Sequence, residues 1–170
     1  MSLDVSRALK NPGQAYPFES FVELEPMEIL GDPVRFEDIR IAGEFLSAGD
    51  NRISLRATVN ARADTRCSRC LEPVCVPIEA EVDALFDRRP DPDDPDLYSF
   101  EASTVELTDA VRDALLLELP LRTLCAEDCK GLCPVCGVNL NRETCTCQEG
   151  AEVTNPFSAL KNIVLNNEEV

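Results

Sequence analysis

The sequence predicts an α+β protein: an antiparallel β-sheet or partly open barrel, a helix packed on it, and a C-terminal cysteine-rich module. Three observations carry that expectation. Two successive runs between Arg52 and Val82 alternate apolar and polar residues. A leucine-rich stretch after Thr108 has helical spacing. Six of the nine cysteines fall in the 23 residues from Cys125 to Cys147.

The first residues, up to the turn signal Asn11-Pro12-Gly13, read as a short helical or irregular segment. Strand-like runs follow. Phe18, Phe21, Val22 and Leu24 form one, and Pro33 to Ala42, with Ile39 and Ile41 alternating, forms another. Gly49-Asp50-Asn51 predicts a hairpin turn. In the next strand Ile53, Leu55, Ala57, Val59 and Ala61 occupy one parity, and Arg52, Arg56, Asn60 and Arg62 the other. A two-residue period sends the first set to a core and the second to solvent. The return strand through Val74, Val76, Ile78, Ala80 and Val82 alternates likewise, so Cys67-Ser68-Arg69-Cys70 sits at the tip of a long hairpin. Residues 1–86 are thus expected to form a β-rich domain.

Residues 87–100 are expected to be an acidic, proline-rich linker, because their dense aspartates and prolines cannot build a core. In residues 101–124, Thr108 is the expected N-cap of a helix, with Asp109 in its first turn where negative charge suits the macrodipole. Val111, Ala114, Leu115 and Leu119 make its apolar stripe, widened by Leu116 and Leu117, and Pro120 ends it. Residues 125–170 form the cysteine-rich module. It closes with a short amphipathic helix opened by Asn155-Pro156 and carrying Phe157, Leu160, Ile163 and Val164.

The chain has 170 residues, with 32 acidic against 16 basic side chains and a net charge of −16. That balance opposes non-specific attraction to nucleic acid or anionic membrane. No apolar run approaches the length that spans a bilayer, and the first residues lack the apolar core of a signal peptide. A cytoplasmic location is therefore expected. In a reducing compartment nine cysteines point to metal rather than disulfides.

There is no histidine, so His-based triads, bases and ligands are excluded. Any metal must be held by thiolates. Cys133-Pro134-Val135-Cys136-Gly137 has the form of a metal knuckle, and Gly137 lets backbone N–H groups fold toward the sulfurs. Eight cysteines suffice for two tetrahedral sites, which suit zinc, or iron with the same ligands. The most economical assignment gives one zinc to Cys133, Cys136, Cys145 and Cys147, whose halves are close in sequence. Because Cys145-Thr146-Cys147 is a tight pair, Cys129 could replace one of its members. A second possible site takes Cys67, Cys70, Cys125 and Cys129, and Cys75 is left over, pointing outward. Cys129, Cys133 and Cys136 also match the three-thiolate spacing of radical S-adenosylmethionine enzymes, but no α/β barrel accompanies them.

Arg52, Arg56, Arg62, Arg66 and Arg69 face a single acid, Asp64, within residues 51–70. Arginine forks suit phosphate oxygens, which makes this the candidate nucleic-acid face. The ordinary alternative is cross-strand pairing with Glu79, Glu81 and Asp83. No aromatic lies between Phe45 and Phe86, so a base-stacking platform is not expected here.

Several runs together resemble the bacterial YceD family. They are Cys67-Ser-Arg-Cys70-Leu-Glu-Pro73, Leu119-Pro120, Cys129-Lys-Gly-Leu-Cys133-Pro-Val-Cys136-Gly-Val-Asn-Leu-Asn141, Cys145-Thr-Cys147 and Asn155-Pro-Phe with Leu160. The resemblance covers nearly the whole chain. It implies a role in accumulation or processing of large-subunit (23S) ribosomal RNA, with ribosomal RNA or a pre-50S particle as partner, and it transfers no catalytic residue. The expected function is a non-enzymatic, zinc-binding factor in large-subunit ribosome biogenesis, with no membrane partner. The alternatives are a zinc-stabilised module that holds a basic ribosomal protein, and an iron–sulfur or thiol redox protein.

Overall fold

The computed structural model describes residues 1–29, 31–90, 94 and 97–147. The chain divides into two compact units, residues 1–129 and 130–170. The second unit starts at Lys130, five residues after the expected start of the cysteine-rich module at Cys125, because Cys125 and Cys129 are tied to the hairpin tip.

The first unit contains β1 (Ser2–Asp4), α1 (Ser6–Lys10), β2 (Tyr16–Val22), β3 (Met27–Ile29), β4 (Asp32–Gly49), β5 (Arg52–Arg66), β6 (Pro73–Asp87), β7 (Leu97–Ser99), β8 (Thr104–Glu106) and α2 (Thr108–Glu118). The main sheet runs β2-β4-β5-β6-β7, with β3 paired to the start of β4. Every pairing in it is antiparallel except β6 with β7. The sheet is open rather than closed into a barrel. β1 and β8 form a separate two-stranded ladder.

The hairpins follow from local chemistry. Asp50 (φ 48°) and Asn51 (φ 62°) occupy the two central positions between β4 and β5, the left-handed pair that a type I′ turn needs. In β5, Ile53, Leu55, Val59, Ala61 and Ala63 are buried; in β6, Ile78, Ala80, Val82, Ala84 and Phe86 are. In β4 the inward parity changes. Val34 and Phe36 are buried, then Ile39 and Ile41. A register shift between Glu37 and Arg40, with Asp38 at φ 52°, inserts the extra residue that re-aims the strand. Gly43 has no room for a Cβ, which would strike the carbonyl of Arg56 and the backbone of Ala57.

Three expectations are corrected. Residues 87–100 do not form a simple linker. Asp87 ends β6, Leu97–Ser99 add a parallel strand, and Phe100 is buried. Aromatic contact explains this: the Tyr98 ring lies 5.4 Å from fully buried Phe86. The Tyr98 hydroxyl also donates to Asp113 at 3.1 Å, joining β7 to α2. Second, the N-cap of α2 is Leu107, not Thr108. Buried Leu107 offers its carbonyl to Val111 N–H at 3.0 Å, while the Thr108 hydroxyl bonds Glu106. Third, Leu117 does not widen the buried stripe. It is 86% exposed, whereas Ala110, Val111 and Leu115 are buried as α2 packs mainly on β6. Pro120 ends the helix as expected, holding Leu119 in extended geometry (ψ 123°).

In the second unit, residues 130–147 are a tight loop structure with a bridge between Leu132 and Asn139. Asn141 Oδ1 accepts Lys130 N–H at 2.8 Å, and Leu140 N–H reaches Gly131 O at 2.9 Å. The expected helix after Asn155 lies outside the described residues.

Candidate metal centres

Two turns in this protein have the same backbone design. In the first, Leu71 N–H bonds Cys67 O at 2.9 Å and Cys67 N–H bonds Glu72 O at 2.8 Å. In the second, Gly137 N–H bonds Cys133 O at 2.9 Å and Cys133 N–H bonds Val138 O at 2.8 Å. The residue after each second cysteine is left-handed, Leu71 at φ 61° and Gly137 at φ 74°. Each turn brings two sulfurs to one side and curls N–H groups toward them, as Val135 N–H does toward Cys133 Sγ at 3.4 Å.

A second pair of cysteines closes each turn. Cys67, Cys70, Cys125 and Cys129 form one group, and Cys133, Cys136, Cys145 and Cys147 the other; within each, the four Sγ atoms lie within 4.8 Å of one another. Cys67 and Cys129 sulfurs are 3.8 Å apart, and Cys70 and Cys125 3.5 Å. In the other group Cys145 lies 3.5 Å from Cys136 and 3.3 Å from Cys133. A tetrahedron of thiolates with metal–sulfur bonds of about 2.3 Å has edges of roughly 3.8 Å. Both groups could hold a metal ion. Cys129 belongs to the hairpin group and substitutes for neither Cys145 nor Cys147. Cys75 is exposed and in neither group.

The environments differ. In the hairpin group Cys67, Cys70 and Cys129 are buried, whereas in the other only Cys133 is. The hairpin group is also clasped from outside. Ser68 N–H donates to Thr123 O at 2.8 Å, and Thr123 N–H returns a bond to Ser68 Oγ at 3.2 Å. Arg69 Nη1 donates to Cys129 O at 2.7 Å. Such bonds orient the ligand-bearing backbone.

The thiol acidities reflect this packing. Burial pushes Cys67 up, but the N–H groups of Cys70, Arg69 and Cys125 outweigh it and bring it down to about 6. The N–H groups of Cys136 and Val135 bring Cys133 to about 6. Cys125 is pushed up to about 12, first by Cys129 and then by Cys70. Cys147 is pushed up to about 12 by Cys145 and Cys136. Four thiolates so close repel, and a divalent cation at their centre relieves that repulsion.

The five arginines named from sequence are all exposed, but they do not form one free basic face. Arg52 pairs with Asp87 at 2.7 Å, Arg56 with Asp83 at 3.3 Å and Arg62 with Asp38 at 2.5 Å. Arg69 is engaged with the Cys129 carbonyl. Arg66 lines a small recess with Leu116, Leu119, Leu121 and Thr123. Sequence reading missed two features. The clasp by Arg69 had one signal, its place inside the Cys67–Cys70 turn. The Arg62–Asp38 pair had none, since it depends on the bulge in β4.

Fold and site together define an open-sheet α+β protein with two four-cysteine clusters of metal-binding geometry. The chain belongs to the family described as large ribosomal RNA subunit accumulation protein YceD, whose pattern it matches over residues 55–164. It is 30% identical over 152 residues to an uncharacterised protein of Mycobacterium tuberculosis, covering 84% of this chain and 72% of that one. It is 29% identical over 127 residues to the uncharacterised protein YlbN of Bacillus subtilis, covering 72% of this chain and 73% of that one. A protein from Zea mays, named large ribosomal RNA subunit accumulation protein YCED homolog 1, chloroplastic, is 28% identical over 130 residues, covering 57% of this chain and 44% of that one. No solved structure matches. No helix among the described residues is long and apolar enough to cross a membrane.

Proposed function

We propose that this protein is a non-enzymatic, zinc-stapled factor that supports the accumulation of large-subunit ribosomal RNA, acting on the pre-50S particle in the cytoplasm. Membership of the YceD family is the observation that carries the reading. The chemistry of the clusters agrees with it. Four thiolates fill a tetrahedral ion and leave no position for water or substrate, which is the pattern of a structural zinc. With no histidine in the chain, there is no imidazole general base to set beside them.

The test has two arms. Deleting the gene should lower mature 23S ribosomal RNA relative to 16S, and the wild-type gene should restore it; an unchanged ratio would refute the role. Elemental analysis of the purified protein should give two zinc ions per chain, falling to one in Cys70→Ser and one in Cys136→Ser. A coloured, iron-containing product would instead favour an iron–sulfur protein.

A second reading concerns how the particle is contacted. Arg52, Arg56, Arg62, Arg66 and Arg69 remain the candidate RNA face. However, the pairing of three of them with carboxylates favours contact through a basic ribosomal protein already on the RNA. Changing all five to Ser should then leave affinity for naked 23S RNA unchanged at low salt. A large loss would assign the face to RNA.

A further inference from the structure

The outer face of the main sheet holds an aromatic ring that the fold leaves in solvent. Phe21, near the end of β2, is 67% exposed. Its partner across the ladder is Arg40, which faces Asn60, which in turn faces Glu79. Directly opposed residues in neighbouring strands share a face, so one row of side chains crosses four strands. A shallow recess follows this row, lined by Phe21, Arg40, Asn60, Arg62, Pro77 and Glu79. A further recess on the same sheet is lined by Glu44, Arg56, Glu81 and Asp83.

The charges on this face do not cancel. Arg40 is held by Glu19 at 2.8 Å, Arg62 by Asp38 at 2.5 Å and Arg56 by Asp83 at 3.3 Å. Glu44, Glu79 and Glu81 are exposed and have no ion-pair partner among the described residues. A phosphate backbone laid here would meet carboxylates. A cationic segment laid across the row would meet the negative face of the Phe21 ring on β2 and the carboxylate of Glu79 three strands away on β6. Glu79 and Glu81 are two positions apart on β6, about 7 Å along the strand, which is also the spacing of alternate side chains in an extended peptide.

We propose that this face docks an extended arginine- and lysine-rich protein segment, with one arginine stacked on Phe21 and its neighbours paired with Glu79, Glu81 and Glu44. The assignment rests on the ribosomal reading above for its biological setting and names the kind of partner recognised. The sequence concealed it because Phe21 is far along the chain from the strands it joins; the β2–β4 pairing brings it into the row.

The test measures anisotropy of a fluorescent nona-arginine peptide with the full-length, zinc-loaded protein at about 0.1 M salt, where surface charges are largely screened beyond about 10 Å. Phe21→Ala should weaken binding about 3- to 30-fold, the range for loss of a cation–π contact from exposed to desolvated. Phe21→Tyr should retain it. The double change Glu79→Gln and Glu81→Gln should weaken binding and flatten its salt dependence. Leu117→Ala, another exposed apolar change, and Glu101→Gln, outside the row, should leave it unchanged. Phe21→Ala binding like wild type would overturn the proposal. So would tighter binding of a comparable oligouridine that Phe21→Ala abolishes, which would make the face an RNA platform. In cells, if gene deletion lowers 23S RNA but Phe21→Ala and the glutamine pair restore it fully, the docking face is wrong and the ribosomal role stands. If deletion has no effect, the ribosomal role fails whatever the peptide does.

Discussion

Leu71 holds the left-handed position that Gly137 holds in the other turn, at φ 61° against 74°. A branched residue there costs about 1–2 kcal/mol, and glycine gives back part of that through its freer unfolded chain. Because Leu71 is 53% exposed, little packing is lost on replacing it. Leu71→Gly should therefore raise stability by about 0.5–1 kcal/mol, read as a higher thermal midpoint of the zinc-loaded protein. Arg69→Ala removes the bond to the Cys129 carbonyl. It should lower zinc affinity at the hairpin cluster on the order of 10-fold, as loss of a supporting bond commonly does. Competition with a chelating dye should then show one weakened zinc and one unchanged. Asp87 adds a pH effect. The Arg89 N–H, then the Arg52 guanidinium, hold its carboxyl below the usual 3.8. A folded-state value below the unfolded one stabilises above the ordinary carboxylate range and is lost as pH falls through the folded value. Wild type should exceed Asp87→Asn in stability at neutral pH, and the gap should close in acid below about pH 4. A pH-independent gap in urea midpoints would contradict this.

At the scale of elements, α2 shows how much periodicity alone can decide. Its stripe of Val111 and Leu115 was legible, since helical spacing places them on one face. That Leu117 lies outside it was not, because the width of the buried stripe depends on where β6 runs beneath the helix. The difference predicts unequal costs. Leu115→Ala should destabilise by about 2–5 kcal/mol, and Leu117→Ala by no more than about 0.5 kcal/mol, in urea unfolding of the metal-loaded protein. The β5–β6 hairpin was legible almost residue by residue, and the Asp50-Asn51 turn before it has the predicted chemistry, whereas β4 was read only as far as Ala42 and its bulge at Asp38 was not. β7 was hidden by composition: the aspartates and prolines before it spell an exposed loop, yet Tyr98 and Phe100 anchor its far end.

At the scale of the molecule, the two units are expected to depend on metal to different degrees. The first has a core of its own, with Phe86, Leu55, Ile53, Leu107 and Leu115 fully buried. In residues 130–147 no large aliphatic or aromatic side chain is buried, and Cys133 is the one buried cysteine. A segment without an apolar core is expected to need an ion at its four cysteines for order. Stripping the protein with a strong chelator should erase the dispersed amide NMR signals of residues 130–147 while the β5 and β6 signals persist. Dispersed signals surviving in 130–147 would show that its fold does not need metal.

From the sequence alone came the alternation that makes a β-hairpin, the helix that follows, the thiolate chemistry of the clusters and the family to which they belong. Those are properties of local spacing and residue type, which need no knowledge of the rest of the chain. Both four-cysteine groups were read from the sequence, with Cys129 left as a possible substitute for Cys145 or Cys147; that exclusion, which arginines are already neutralised and where Phe21 emerges were decided only by tertiary structure. Each depends on contacts between residues far apart in the chain: Cys67 with Cys129, Arg62 with Asp38 across the bulge in β4, and Phe21 with Arg40 across the β2–β4 ladder.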